Sequence, residues 1–458
     1  MPPRRDSREA VLQNHHDKAT DRTTTWALLS RSQHRDPPCT KPLADLKILR
    51  LSNLRMGSKA SRSAIIVRTI CQPRHPGPLL PVLNVIEDDA GRAMHIEIYF
   101  SSTIPVATVL AIDNVLATKA PRQEMGKYGP KIRIVHPSDI MLLPQGHELM
   151  PKAFSSYSDS ASKTIWDWKE QAKEAIKRDE YTKAIDYYSN AIKRASETQQ
   201  SSDLSGALHY KRSIAAMRAG HYDLSFSDAR VSLRDCSDED NKNGGRKFLY
   251  QAAYTACQKH NFPQAHSLLE RLLKLLPENN RAHILREDVA ARLREERHGY
   301  YDIAAIHKEQ MVLDHASFVN LTEIEHHLVA DAFGYAQPVG ASNKNAYSSR
   351  DQGAQLWINV VQRIFANPSQ ARRLLALHAS PPYKPPKRLL VVDGQAIVEV
   401  FQVKDIIDHN SFSYEVSPST KHAHCLYIQA SYMNHSCVEN TFRSFINDMI
   451  FIRATNDM

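Results

Sequence analysis

Four consecutive residues near the end of the chain, Asn434, His435, Ser436 and Cys437, combine an amide, an imidazole, a hydroxyl and a thiol, and Asn440 follows three residues later. Amide and hydroxyl groups both donate and accept hydrogen bonds, so a compact loop of this kind can hold both charged ends of a zwitterionic amino acid. The stretch therefore predicts a binding loop for such a ligand. The alternative is a buried turn between a strand and a loop in which the histidine and cysteine are incidental.

The segments on either side of this loop are expected to position it. Residues 441–446 and 449–454 are β-branched and aromatic, and the two residues between them fit the turn of a β-hairpin. Upstream, residues 355–377 and 396–409 place apolar side chains at helical spacing. The sequence thus predicts helices before the loop and a hairpin after it.

The run Asn434-His435-Ser436-Cys437 resembles the cofactor-binding signature of SET-domain protein methyltransferases, closest to the SET-and-MYND branch and its fungal relatives with tetratricopeptide (TPR) repeats. The resemblance implies methylation of protein lysines with S-adenosylmethionine, which Asn434, His435 and Ser436 would bind. Asn410 begins an Asn-x-Phe sequence like one in the family, and is implied to lie near the cofactor. Cys437 corresponds to a zinc ligand of the family.

Two departures from the family pattern bear on activity. No Gly-x-Gly turn, whose bare backbone contacts the cofactor in the family, occurs in residues 319–338. The sequence ends at Met458, before the family's Gly-Glu-Glu-Leu strand, its channel tyrosine and its cysteine-rich zinc tail. Because methyl transfer depends chiefly on in-line placement of the reactants, we expect weak cofactor binding, impaired catalysis and an incomplete zinc site, with the catalytic residues unknown. A fragment of an active enzyme and an evolved loss of activity both explain these gaps.

Residues 163–300 show a helical repeat. Small and aromatic residues recur at TPR spacings, and the equivalent positions Ala184, Ser225 and Ala265 lie about 40 residues apart against about 34 in the standard unit. Three units with a capping helix predict a groove for a protein or peptide partner. Lys173, Lys177 and the Lys211-Arg212 pair could clamp a carboxylate there, or could form an ordinary solvated face. A second reading of the whole chain is therefore a non-enzymatic TPR adaptor.

Residues 61–152 predict a small β-rich domain, with five strands at 64–70, 81–86, 94–100, 109–118 and 131–135. Their spacing is typical of a closed or partly open barrel, and their order resembles an OB fold. OB folds bind single strands by stacking bases on aromatic side chains. The adjacent Tyr99 and Phe100 fall on opposite faces of a strand, so a structural or protein-docking barrel is preferred.

The composition limits which partners and which cell compartments the chain suits. Residues 1–62 hold thirteen Lys or Arg and six Asp or Glu, an excess of seven positive charges out of a net charge of +9. The segment 1–60 reads as a disordered basic tail, with a short helix at residues 43–54, and nucleic-acid binding is unsupported beyond that tail. No apolar run is long enough to span a membrane, and no apolar secretory signal opens the chain. The six cysteines show no disulfide framework, which fits the nucleus or the cytoplasm.

The predicted architecture is therefore a multidomain α+β chain. It consists of the tail at 1–60, the OB-like barrel at 61–152, the TPR repeats at 163–300 and a partial SET domain with a helical insert at 314–458.

Overall fold

The structure is a computed structural model of the 458-residue chain. It describes residues 8–17, 35–74, 81–100, 109–110, 112–126, 129–143, 147–154, 164–199, 202–235, 244–259, 261–298, 327–331, 334–336, 349–383, 389–417, 421–427, 431, 441–446 and 449–454. The chain divides into two compact units, each with both α and β elements. Unit one comprises Met1–Lys163 with Pro386–Lys404, and unit two comprises Thr164–Pro385 with Asp405–Met458.

Unit one is built on a twisted sheet preceded by a short helix, α1 (Arg8–Asp17). The strands of this sheet, in chain order, are β1 (Lys47–Leu49), β2 (Ser63–Thr69), β3 (Val82–Glu87), β4 (Ala93–Ile98), β5 (Val115–Lys119), β6 (Arg122–Gly126), β7 (Gly129–Ile134) and β8 (Ile140–Leu142). They are rich in β-branched residues, which suit a pleated and buried surface. The five strands predicted from the sequence correspond to β2, β3, β4, β5 and β7.

The strands are ordered β6-β7-β4-β3-β2-β5-β8, with β1 pairing separately on β2. Neighbours on this path are antiparallel except for β4 and β7, which run parallel. Only Ala120, with φ of 47°, and Pro121 separate β5 from β6. This kink lets a nearly continuous segment run from β5, the next-to-last strand of the path, to β6 at its opposite end.

Both faces of the central strands are buried. Ile65 and Val67 of β2 belong to one apolar cluster, whereas Ala64 and Ile66 belong to a second. Successive side chains of a strand point to opposite faces, so β2 contributes to two cores at once. Tyr99 and Phe100, directly after β4, are also buried and do not form an exposed platform for stacking bases.

The segment before β2 differs from the sequence-based expectation. Residues 43–54 were expected to form a helix, but the structure has short 3₁₀ turns at Leu43–Asp45 and Leu51–Asn53, with β1 between them. The backbone of β1 pairs in parallel with β2, and Leu43, Leu46 and Leu51 are buried. The leucines that suggested a helix face therefore lie in the core of unit one, with Leu43 and Leu46 in one apolar cluster and Leu51 in another.

Unit one also includes a segment distant in sequence. Residues 391–392 (β11) and 395–396 (β12) form a tight hairpin whose turn residues, Asp393 and Gly394, have φ of 50° and 75°. Positive φ at both positions is the requirement of a type I′ turn, which Asp-Gly meets well. This turn shortens the helix expected at 396–409, which instead runs over Val400–Asn410 and is named α11 below.

Unit two begins with a stack of helices in which each helix packs against the next along the chain. These are α2 (Ile165–Lys177), α3 (Tyr181–Glu197), α4 (Ser202–Arg218), α5 (Tyr222–Asp235), α6 (Gly244–Gln258), α7 (Phe262–Leu275) and α8 (Asn280–His298). Ala172, Ala184 and Ala265 are fully buried, as expected for the small residues that let paired helices approach. The prediction of repeated helix pairs is confirmed.

The rest of unit two mixes short sheets and helices. The helices α9 (Ser349–Ala366) and α10 (Pro368–Leu375) match the predicted insert. The strands are β9 (His327–Asp331), β10 (Gly334–Ala336), β13 (Ser411–Ser417), β14 (Lys421–Leu426), β15 (Thr441–Ile446) and β16 (Met449–Ala454). One sheet has the order β10-β14-β13 and another has the order β15-β16-β9. The predicted hairpin of β15 and β16 is therefore confirmed, and β9 extends it.

Candidate functional site

The predicted binding loop has one described residue at its start, Ser431. Asn434, His435, Ser436 and Cys437 lie outside the described residues, so the predictions for the cofactor and for zinc at these positions stay predictions. The surroundings of Asn410 and Ser431 are described, and they define the candidate site.

Asn410 is the last residue of α11, directly before β13. Its side-chain Nδ2 donates to the carbonyl oxygens of Ile406 at 2.7 Å and His378 at 2.8 Å. Because carbonyl oxygens only accept hydrogen bonds, these contacts fix the orientation of the amide. They also cap the end of α11, where the last carbonyl groups lack helical partners.

Ser431 joins the start of the predicted loop to Asn410. Its Oγ lies 3.0 Å from the carbonyl oxygen of Asn410 and 2.7 Å from that of Tyr427, and its backbone N–H donates to Tyr427 at 2.9 Å. A hydroxyl has one hydrogen to donate, so the two carbonyls share it. The structure thus brings together Asn410 and the first residue of the signature stretch, 21 positions later in the chain.

The strand pair that adjoins this contact is tightly packed. Cys425, Leu426 and Tyr427, at the end of β14, are fully buried. Phe412 of β13 meets the Tyr427 ring edge-on, with the ring centroids 5.7 Å apart. β13 and β14 pair directly at Phe412 and Cys425. This packing holds the anchor of the loop on a rigid strand pair, as a binding site requires.

A serine, a histidine and an aspartate also lie together near Asn410. Ser380 Oγ is 3.1 Å from His409 Nε2, and His409 Nδ1 is 3.6 Å from the Asp405 carboxylate. However, His409 Nδ1 contacts the Asp405 backbone carbonyl at 2.8 Å, and the carboxylate accepts from the Ser380 backbone N–H. In a catalytic triad the carboxylate orients the imidazole. Here it holds the chain at Ser380 instead, so the group acts as a brace for α11.

The helical stack contains a buried polar network around Asp228. Arg212 donates to its two carboxylate oxygens at 2.7 and 2.8 Å, and His209 Nδ1 lies 2.8 Å away. Burial raises the pKa of Asp228, but the hydrogen bonds from Arg212 and His209 outweigh that effect and leave the pKa below its ordinary value. Arg212 also reaches Ser189 at 2.9 Å. It therefore joins helices rather than standing free in a groove.

The other residues of the predicted carboxylate clamp differ from one another. Lys173 pairs with Glu170 at 2.5 Å, and Lys177 pairs with Glu174 at 2.6 Å, both in the exposed i,i+3 arrangement. Such exposed pairs are weak, so both lysines remain able to exchange partners. Lys211 is exposed and has no ion-pair partner among the described side chains.

Asn367, which the sequence did not single out, ties the helical stack to the insert of unit two. It is 1% exposed, and its Nδ2 donates to the Gly220 carbonyl at 2.9 Å while its Oδ1 accepts from the Asp223 backbone at 3.1 Å. The Asp223 carboxylate in turn accepts from the backbone and hydroxyl of Ser369. Asn367 holds the N-cap position of α10, but its side chain bonds to the helical stack rather than to α10, a role that no local sequence pattern indicates.

The described residues carry neither a metal-ligand cluster nor a membrane-spanning helix. Over the part of the chain that the structure describes, no group of three or more His, Cys, Asp or Glu side chains is arranged to hold a metal ion. Within the same residues, none of the helices has the length and apolar character needed to cross a membrane.

Comparison with known proteins gives one sequence relative over nearly the whole chain. A protein of Gibberella zeae described as a methyltransferase is 23% identical over 510 aligned positions, covering 98% of this chain and 67% of the relative. No protein-family model matches the chain.

Several solved TPR domains match part of this chain at low TM-scores. The Arabidopsis OM64 TPR domain matches with a TM-score of 0.23 and 18% identity, covering 27% of this chain and 93% of that domain. The Sgt2 TPR domain of Aspergillus fumigatus matches with a TM-score of 0.24 and 18% identity over 29% of this chain and 81% of that one. The first TPR domain of human RPAP3 matches with a TM-score of 0.25 and 18% identity over 30% of this chain and 98% of that domain.

Proposed function

We propose that the chain is an S-adenosylmethionine-dependent methyltransferase-like protein of the SET type, related to enzymes that act on protein lysines. The observation that carries this proposal is the methyltransferase relative, which aligns with 98% of the chain. The resemblance of residues 434–437 to the SET signature is the reason for proposing the SET type. Asn434, His435 and Ser436 are the proposed cofactor contacts.

The contact between Ser431 and Asn410 supports the same proposal. It holds the start of the signature stretch 3.0 Å from Asn410, the second residue implied to lie near the cofactor. Asn410 uses Nδ2 to cap α11, and its Oδ1 makes no hydrogen bond with another described residue. That oxygen is suited to accept from the ammonium group or the adenine amine of S-adenosylmethionine.

The first test is calorimetric titration of S-adenosylmethionine into the purified chain. We expect saturable binding that is weak, because residues 319–338 lack the Gly-x-Gly turn. Asn434→Ala should abolish the binding, whereas Asn53→Ala, on the exposed surface of unit one, should leave it unchanged. Equal binding by the wild type and Asn434→Ala would contradict the proposed cofactor loop.

The same experiment separates the enzyme from the adaptor. An adaptor would bind no S-adenosylmethionine and would depend only on the helical stack. This alternative is favoured by the stack itself, in which seven described helices pack consecutively. If the folded wild-type chain does not bind S-adenosylmethionine, the adaptor function is favoured over the enzyme function.

We further propose that the stack from α2 to α8 binds a protein or peptide with acidic groups. The exposed Lys211 on α4 and the weakly paired Lys173 and Lys177 on α2 support such a partner. Fluorescence anisotropy with an acidic peptide ending in a free carboxylate tests this. Lys211→Glu should weaken binding about tenfold or more, while Lys274→Glu, on α7, should not. Equal affinity for an amidated peptide would argue against recognition of the carboxylate.

We also infer an OB-like arrangement for unit one. The antiparallel β2-β3-β4 series, the parallel pairing of β4 with β7, and the kinked β5–β6 segment support it. A structure in which β6 does not pair with β7 would overturn this assignment.

A further inference from the structure

Two helices of unit two, α5 and α10, cap each other at their starts. Asn367, the N-cap residue of α10, accepts through Oδ1 from the backbone N–H of Asp223, in the first turn of α5, at 3.1 Å. The Asp223 carboxylate accepts in return from the Ser369 backbone N–H at 2.9 Å and from the Ser369 hydroxyl at 2.8 Å. N–H groups in the first turn of a helix lack helical partners, so each helix supplies what the other needs. We call Asp223, Asn367 and Ser369 the capping junction.

The capping junction differs from ordinary helix capping, in which the N-cap side chain bonds to N–H groups of its own helix. Asn367 makes no such bond to α10, and its Nδ2 donates to the carbonyl oxygens of Gly220 at 2.9 Å and Arg363 at 3.0 Å. Lys259 of α6 lies 2.7 Å from the Asp223 carboxylate. That carboxylate lies at the starts of both α5 and α10, where the helix dipoles favour a negative charge.

From the capping junction, α10 leads directly to the residues that hold Asn410. Arg363 of α9 donates to Gln370 of α10 at 3.0 Å. Only Ala376 and Leu377 separate the end of α10 from His378, and the Leu377 backbone N–H still bonds to α10 at 3.0 Å. The apolar side chains of α10 are buried, namely Ala371, Leu374 and Leu375. This packing makes α10 a rigid connection without a flexible linker.

The residues that follow α10 hold the last turn of α11. The His378 carbonyl accepts from Asn410 Nδ2 at 2.8 Å, and the His378 ring meets the His409 ring edge-on, with centroids 5.4 Å apart. The Ser380 backbone N–H donates to the Asp405 carboxylate, and its hydroxyl lies 3.1 Å from His409 Nε2. The orientation of the Asn410 amide therefore depends on where α10 places His378.

We propose that the capping junction positions Asn410 for cofactor binding, with Asn367 and Asp223 as positioning residues rather than contacts of the cofactor. The inference rests on the proposed cofactor site and makes the helical stack part of its support. Binding sites need their polar groups held within about 0.5 Å of the productive geometry. Loss of the junction frees the start of α10, so His378 and Asn410 move more widely.

Hydrogen exchange of the full-length chain, measured by mass spectrometry, tests this connection without a ligand. We expect Asn367→Ala to speed exchange of the Ser380 amide and of the amides in the last turn of α11 by about tenfold. Asp228→Asn is the matched control, because it destabilises the same helix α5 through bonds to α4 rather than to α10. It should leave these amides unchanged. Circular dichroism shows whether each variant is folded.

Ser369→Ala is a milder test should Asn367→Ala fail to fold. It removes one hydrogen bond to Asp223 and should speed exchange of the Ser380 amide by about threefold. Unchanged exchange at Ser380 in the folded variants, or an equal rise in Asp228→Asn, would overturn the proposal.

Calorimetric titration of S-adenosylmethionine then relates the capping junction to the cofactor site. The affinity should fall about fivefold in Asn367→Ala and stay unchanged in Asp228→Asn. If the wild type binds no S-adenosylmethionine, the proposed cofactor site fails, whereas the exchange data still decide whether the junction positions Asn410. Wild-type affinity in a folded Asn367→Ala with faster exchange at Ser380 would refute the role in cofactor binding.

Discussion

Asp228 shows how one buried carboxylate can serve structure rather than ligand binding. It is 2% exposed and accepts hydrogen bonds from two basic residues, so removal of its charge leaves the half-buried Arg212 beside a weaker acceptor. We expect Asp228→Asn to lower the free energy of unfolding by about 2 kcal/mol. Glu170→Gln, which breaks an exposed pair, should cost about 0.5 kcal/mol or less. Urea denaturation of both variants measures the difference.

The lowered pKa of Asp228 also predicts how the stability of the protein changes in acid. The pKa of Asp228 is lowered from 3.8 by Arg212 and His209 despite its burial, so the folded state holds the ionised form more tightly than the unfolded state does. This contribution is present above the unfolded value of 3.8 and is lost as the pH falls through the lower folded pKa. The stability gap between wild type and Asp228→Asn should therefore narrow below about pH 4. A gap that widens in acid would contradict this assignment.

Ser431 is the residue on which the position of the predicted loop depends. Ser431→Ala removes the hydroxyl shared by Asn410 and Tyr427, and a lost hydrogen bond of this kind costs about 1 kcal/mol. We expect affinity for S-adenosylmethionine to fall about fivefold, with faster amide exchange across residues 427–440. Ser52→Ala, at an exposed site of unit one, serves as the control. An unchanged exchange pattern would show that the hydroxyl does not hold the loop.

At the scale of elements, Asn367 connects two parts of unit two by a few hydrogen bonds. Asn367→Ala deletes the bonds to the Gly220 carbonyl and to the Asp223 backbone, and leaves these half-buried groups without their side-chain partner. We expect a loss of about 1 to 2 kcal/mol in unfolding free energy and faster exchange of the Asp223 amide hydrogen. Ser369→Ala, which removes one hydroxyl bond to the Asp223 carboxylate, should have a smaller effect. Full protection of the Asp223 amide in Asn367→Ala would rule out the connection.

The elements that the sequence predicted well are those whose partners are near in sequence. The β15–β16 hairpin needs only its own turn, and the helix pairs from α2 to α8 follow from the local spacing of small and aromatic residues. Residues 43–54 were predicted wrongly because β1 pairs with β2, a contact that no local pattern reports. The start of α11 was misplaced by four residues because the Asp393-Gly394 turn was not recognised.

The candidate site shows the same division. Asn410 was identified by its Asn-x-Phe sequence, but its capping contacts with His378 and its link to Ser431 depend on tertiary packing.

At the scale of the whole molecule, unit one is assembled from two distant stretches of sequence. Its stability therefore depends on contacts between these stretches. Asp393 accepts from Lys119 at 3.1 Å and from the Leu43 backbone at 3.1 Å, and Lys119 is fully buried. Asp393→Asn leaves that ammonium without a counter-charge, and we expect unit one to lose about 2 to 3 kcal/mol. Asp89→Asn, which breaks the exposed pair with Arg50, should be nearly neutral. Limited proteolysis within 35–143 reports the change, and equal resistance of both variants would contradict it.

The same division has a consequence for synthesis on the ribosome. The first stretch of unit one ends at Lys163 and the second begins at Pro386, so about 220 residues must be translated before the unit can be completed. At 5–20 residues per second this takes on the order of ten to forty seconds. During that interval Lys119 lacks its ion-pair partner Asp393, and the nascent sheet is exposed to chaperones and proteases. The yield of correctly folded protein should therefore respond to translation speed through the helical stack, although that stack contributes no residue to unit one.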